Sequence, residues 1–106
     1  MNIIEKTTSR GFKLVEFNDS YDNICVIQKS SLAAHEAIWF GVTDVKPKIL
    51  ASKTIEGGSG WVPYKIPDDV LINSRMHLTV DQVKDLIPIL QNFVETGEVQ
   101  LNEQKL

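Results

Sequence analysis

The stretch Ser74-Arg75-Met76-His77-Leu78-Thr79-Val80-Asp81-Gln82-Val83-Lys84-Asp85-Leu86-Ile87-Pro88-Ile89-Leu90-Gln91-Asn92-Phe93-Val94-Glu95-Thr96-Gly97-Glu98 decides the fold class, because its hydrophobic period changes partway along. In Ser74 to Leu78, Met76 and Leu78 alternate with Arg75 and His77, the period-2 pattern of a half-buried strand. From Val80 onward, Val80, Val83, Ile87, Leu90 and Val94 recur at spacings of three and four, and Leu86 and Phe93 widen the stripe into the apolar face of a helix. Thr79 with Gln82 three residues later is a capping-box pattern. Asp81 puts a carboxylate where the helix dipole favours one, and Gly97 supplies the stop. The helix is therefore expected to begin at Val80.

Pro88 is the one discordant residue, since an interior proline removes a backbone hydrogen bond. On the helical wheel it falls with Asp81, Asp85, Asn92 and Glu95 on the polar face, where water can satisfy the Lys84 carbonyl. In this reading the stripe, with Met76 and Leu78, builds the core, and Arg75 and His77 face away from it.

Upstream, strands are expected from Gly11 to Asn18, from Ile24 to Lys29 and from Ala37 to Thr43. Asp19-Ser20-Tyr21-Asp22-Asn23 makes the first two a hairpin. The adjacent pairs Leu14-Val15 and Val26-Ile27 break clean alternation, so either both faces are partly covered or a bulge shifts the phase. Ser30-Ser31 before Leu32-Ala33-Ala34-His35-Glu36 suits a capped helical turn or a loop equally. In the third strand Ile38, Phe40 and Val42 share one face, and Trp39 shares the other with Ala37 and Gly41.

Between Asp44 and Pro67 turn signals outweigh periodicity: Lys48 to Thr54 can add a strand, residues 54–60 read as a flexible loop, and Trp61 to Pro67 as an extended segment. Residues 1–10 and 100–106 read as frayed ends. The expectation is one α+β domain over residues 1–106, a small antiparallel sheet of about four strands packed on one C-terminal amphipathic helix.

Composition narrows the function. The chain has 106 residues, 42% hydrophobic and 24% charged, as in ordinary globular proteins. No apolar run approaches the roughly 20 residues that span a bilayer, and Met1 to Lys6 does not resemble a secretory leader. With a single cysteine, Cys25, the expectation is a cytoplasmic protein stabilised by packing. The net charge of −3 and the scattered lysines argue against duplex DNA as a partner, and the dispersed carboxylates against a DNA mimic.

Catalytic signatures are sparse. Cys25 lies mid-strand among Ile24, Val26 and Ile27, the setting of an inert thiol, although a pairing with His77 or His35 stays open. Two histidines 42 positions apart and one cysteine offer no metal-ligand spacing, and Gly57-Gly58-Ser59-Gly60 lacks the Lys-Ser/Thr of a phosphate loop. No catalytic residue, metal or cofactor is assigned. A binding constellation remains. If the strands of Trp39 and of Arg75 and His77 are neighbours, an aromatic plane lies beside a cation, a surface for a base, a nucleotide or a partner's side chain. Trp61 and Tyr64 would close over it. The competing reading makes Trp39 a second hydrophobic layer and Arg75 a solvated strand residue.

The chain also resembles a group of small proteins of tailed bacteriophages and prophages that carries no assigned activity. The resemblance lies in Gln28-Lys29-Ser30-Ser31-Leu32-Ala33, Ala37-Ile38-Trp39-Phe40-Gly41, Trp61-Val62-Pro63-Tyr64 and above all Arg75-Met76-His77-Leu78-Thr79, continuing through Gln82-Val83, Leu86-Ile87-Pro88, Leu90, Phe93 and Glu95-Thr96-Gly97-Glu98. The resemblance implies a phage context and no mechanism; together with the small size and the sparse catalytic signatures it makes a phage accessory protein in the host cytoplasm the expectation. Such a protein would act without catalysis, by binding a host protein of a defence or takeover system or by sequestering a nucleotide-like signal. The alternatives are a replication or recombination accessory that binds single-stranded nucleic acid and, second, a small Cys/His enzyme. Homo-oligomerisation is expected to suit so small a domain.

Overall fold

A computed structural model describes residues 1–32 and 34–101. Seven strands and one α-helix follow in order: β1 (Ile4–Thr7), β2 (Lys13–Asn18), β3 (Ile24–Lys29), β4 (Ala37–Val42), β5 (Lys48–Leu50), β6 (Trp61–Pro63), β7 (Arg75–Thr79) and α1 (Val80–Thr96). β1-β2-β3-β4-β7 form an antiparallel sheet; β5 and β6 pair separately. The α+β class therefore holds, with five strands in the main sheet where about four were expected. The extra strand is β1. Residues 4–7, read as a frayed end, pair with β2, held by cross-strand ion pairs Lys6–Glu16 and Lys13–Glu5, each at 2.9 Å. Short polar edge strands carry little periodicity, which is why the sequence hid this one.

The β2–β3 hairpin turns on Asp19, whose Oδ1 accepts the backbone N–H groups of Tyr21 and Asn23 at 2.9 Å each, and Asp22 takes the left-handed conformation at φ 65°. These amides and the Asn23 side chain hold the Asp19 carboxyl below its ordinary value of 3.8. The register from Leu14↔Gln28 to Asn18↔Ile24 is unbroken, so the irregular alternation reflects two partly covered faces and no bulge. Val26 is buried on one face and Cys25 on the other, near the edge-to-face pair Phe17–Phe40 with centroids 6.5 Å apart.

The capping box is formed as read. Thr79 Oγ1 accepts the Gln82 N–H at 3.2 Å, Gln82 Oε1 accepts the Thr79 N–H at 2.9 Å, and Gly97 closes the helix at φ 78°. α1 packs on the sheet at β7, where Leu78 separates two grooves. One is lined by Ile38, Val83 and Ile87, the other by Met76, Leu86 and Ile89. The stripe does not, however, build a core. None of the residues of α1 is buried, and Met76, although on the helix side, is 54% exposed. Among the described residues the buried apolar ones are Cys25, Val26 and Ala37 in the sheet and Ala51 in the 3-10 turn that follows β5. Amphipathic spacing fixes which helix face is apolar, and it leaves open what covers that face.

Between the sheet strands, residues 31, 32 and 34–36 run as loop and bend, the second of the two readings for that segment; Ala33 lies outside the described residues. The strand expected from Lys48 to Thr54 stops at Leu50: a 3-10 turn over Ala51–Lys53 and the loop 54–60 join β5 to β6, closed by the Ala51 N–H to Gly60 carbonyl bond at 2.8 Å. Of the tail expected to fray, residues 102–106 lie outside the described residues.

Candidate functional site

β4 and β7 are adjacent antiparallel strands, with Trp39 opposite His77 and Gly41 opposite Arg75. Because cross-strand partners share a face, Trp39, His77 and Arg75 lie together on the side away from Met76, Leu78 and α1. The Trp39 and His77 ring centroids are 4.3 Å apart with the planes tilted by 47°, and the Arg75 guanidinium carbon stands 5.2 Å from the Trp39 ring centroid. That is cation–π distance. All three side chains are partly exposed, so Trp39 is neither free in solvent nor a sealed second layer.

Gly41 makes this approach possible. A Cβ built there would stand 2.7 Å from the Ser74 carbonyl oxygen and 2.9 Å from Arg75 Cα, so only glycine lets the start of β7 close on β4. Ser74 Oγ then donates to the Val42 carbonyl at 2.6 Å, and Asn73 Oδ1 accepts the Arg75 N–H at 3.2 Å. Arg75 thus starts from a fixed backbone.

His77 is held from the other side. Its Nε2 lies 2.9 Å from Ser30 Oγ, and Ser30 is 4% exposed with its Oγ also accepting the Leu32 N–H at 3.2 Å. Ser30 is therefore a positioning group for the imidazole, already engaged by backbone. Gln28, register partner of Trp39 on the β3 side, adds a half-buried amide to the same face. Ser30 and Gln28 went unassigned as site residues because single polar residues in strands carry no motif. Parity counted from Trp39 across the hairpin would have found both.

Trp61 and Tyr64 do not join the constellation. Trp61 begins β6 in the separate two-stranded sheet and is 66% exposed; Tyr64 follows it, its N–H bonded to the Pro47 carbonyl at 3.0 Å. Among the described residues Trp39 has His77 as its aromatic neighbour. The closing segment is thus corrected to an independent hairpin.

The Cys25–His77 pairing also fails geometrically. Cys25 stands opposite Phe17 and Val42 on the helix side of the sheet, whereas His77 points to the other side, and Cys25 Sγ contacts the Asn23 carbonyl at 3.5 Å. Among the described residues no three His, Cys, Asp or Glu side chains converge as a metal site would require. What the face can do is accept a flat π-system against Trp39 and neutralise an anionic group with Arg75, while Gln28 and His77 supply hydrogen bonds.

No family model, curated protein or solved structure matches this chain. Among the described residues no helix is long and apolar enough to cross a membrane.

Proposed function

We propose that this chain is a non-catalytic phage accessory protein of the host cytoplasm that binds a nucleotide-like ligand on the Trp39–His77–Arg75 face, sequestering a signal or blocking a host target that displays one. The observation that carries the reading is the Arg75 guanidinium 5.2 Å from the Trp39 ring centre, beside an imidazole fixed by a buried serine. A planar base would displace the guanidinium from the indole face and keep it as a partner for phosphate, so one residue serves as both cover and clamp. Sequestration needs no chemical step. It needs a preorganised face, which Gly41 opposite Arg75 and Ser30 behind His77 support.

A single nucleotide fits better than a strand of nucleic acid. A single-strand groove tracks several phosphates with several cations. Here Lys6, on the same sheet face, is paired with Glu16, and Arg75 is the cation beside the stack among the described residues.

The test is a fluorescence titration of the Trp61→Phe variant, in which Trp39 is the sole indole, with mono-, di- and cyclic nucleotides and with a fluorescent oligonucleotide. Saturable quenching by a nucleotide, weakened at least tenfold in Arg75→Gln, is expected. Absence of quenching by any nucleotide ends this reading; salt-dependent binding of the oligonucleotide alone replaces it with the single-strand one.

A further inference from the structure

We propose that the apolar stripe of α1 is a dimer interface, occupied by the same stripe of a second copy of this chain. The inference is independent of the nucleotide face, which lies on the opposite side of the sheet. Val80, Leu86, Ile87, Leu90, Phe93 and Val94 are between 39% and 76% exposed, and Met76 beside them is 54% exposed. At ~200 Å² for a fully exposed large apolar residue, these seven side chains offer on the order of 700 Å², close to the ~800 Å² each partner gives a standard interface.

The whole molecule tells the same story. Its surface is 8733 Å², whereas a compact monomer of 11.9 kDa exposes about 6,000 Å². Its radius of gyration is 18.3 Å, against about 13 Å for a compact chain of this length. No large side chain among the described residues is below 2% exposure. Part of this excess lies in the separate β5–β6 hairpin and in exposed residues such as Ile55 and Leu71; the α1 stripe with Met76 contributes on the order of 700 Å². Among the described residues only Cys25, Val26, Ala37 and Ala51 are buried apolar side chains, so the chain gains from a partner wherever it is made, and a second copy of itself is always present there.

The stripe has the width for both roles. Val80, Val83, Ile87, Leu90 and Val94 form one seam at alternating spacings of three and four, and Val83, Leu86, Leu90 and Phe93 a second that overlaps it. The sheet occupies only the first turns, at Val83, Ile87, Leu86 and Ile89, and among the described residues Leu90, Phe93 and Val94 have no cover. Charge chooses the orientation. Lys84 lies six residues before Leu90 and Glu95 five after it, so an antiparallel crossing at Leu90 sets Lys84 of each copy against Glu95 of the other; a parallel pair would set Glu95 against Glu95.

Light scattering on the full chain at micromolar concentration should give twice 11.9 kDa. In a Cys25→Ala background, Leu90→Cys should oxidise to a disulfide-linked dimer at least tenfold faster than the exposed control Lys53→Cys, and Leu90→Asp should abolish the doubled mass. A monomeric mass for the full chain overturns the proposal, whether or not some other protein later covers the helix. So does a doubled mass that persists in Leu90→Asp with Leu90→Cys no faster than the control. That result would move the interface elsewhere, for instance to the open edge of β7.

Discussion

Replacing Gly41 by alanine tests the joint on which both the fold and the site depend. The new Cβ would stand 2.7 Å from the Ser74 carbonyl oxygen and 2.9 Å from Arg75 Cα, and both are backbone atoms that cannot rotate away. Relief requires the Ser74–Arg75 segment to retreat by about 0.5 Å or more, loosening the end of the β4–β7 ladder where Gly41 faces Arg75. Overpacking of this kind costs about 1–3 kcal/mol, and φ of 153° adds roughly 1 kcal/mol of backbone strain for a residue with a side chain. The expected loss is thus about 2–4 kcal/mol, a large share of the 5–15 kcal/mol that holds a typical domain together. Urea unfolding followed by far-UV circular dichroism measures it. Gly57→Ala is the control, because Gly57 also has positive φ (67°) but a Cβ there meets nothing within 4 Å. Near-UV dichroism should also change in Gly41→Ala, since Arg75 would move relative to the Trp39 ring. A Gly41→Ala protein no less stable than Gly57→Ala would refute the claim that close approach of β7 sets this glycine.

Thr79→Ala removes the side-chain acceptor for the Gln82 N–H and should cost about 1 kcal/mol, read as a lower unfolding midpoint with the slope unchanged. Pro88→Ala restores an amide donor for the Lys84 carbonyl at an exposed position of α1 and should stabilise by about 1–3 kcal/mol, seen as a higher Tm; a lower Tm would mean that the proline bend is needed for packing. Asp19 and Glu5 both titrate below their ordinary values of 3.8 and 4.5, the first through the turn amides and side chain of Asn23, the second through the Lys13 ammonium. A carboxyl lowered in the folded state stabilises above its unfolded value and loses that contribution as pH falls through the lowered one. Stability should therefore decline below about pH 4, and Asp19→Asn should flatten part of that decline in an acid titration.

The strand and the helix from Ser74 to Glu98 were legible because they rest on local chemistry. Alternation, the Thr79–Gln82 box and the Gly97 stop act within a few residues of one another, and the structure forms each of them. The split of β7 into a Met76–Leu78 side and an Arg75–His77 side was legible for the same reason, since strand parity needs no partner. β1 was not legible, because a four-residue edge strand is defined by its neighbour β2. Trp61 and Tyr64 were misplaced because extended residues announce a conformation and give no direction, and β6 pairs with β5 far along the chain from Trp39.

The sequence by itself determined the elements, their caps and which residues share each face, since those follow from backbone periods of 2 and 3.6 and from hydrogen bonds between near neighbours. Only the tertiary structure decided that β4 and β7 are adjacent, which turns Trp39, His77 and Arg75 into one surface, with Ser30 behind the imidazole across 47 residues of chain. It also decided that α1 meets the sheet with its first turns alone. An apolar stripe records that a face must leave water, but what covers it depends on the distance between surfaces, and here that distance leaves Leu90, Phe93 and Val94 open.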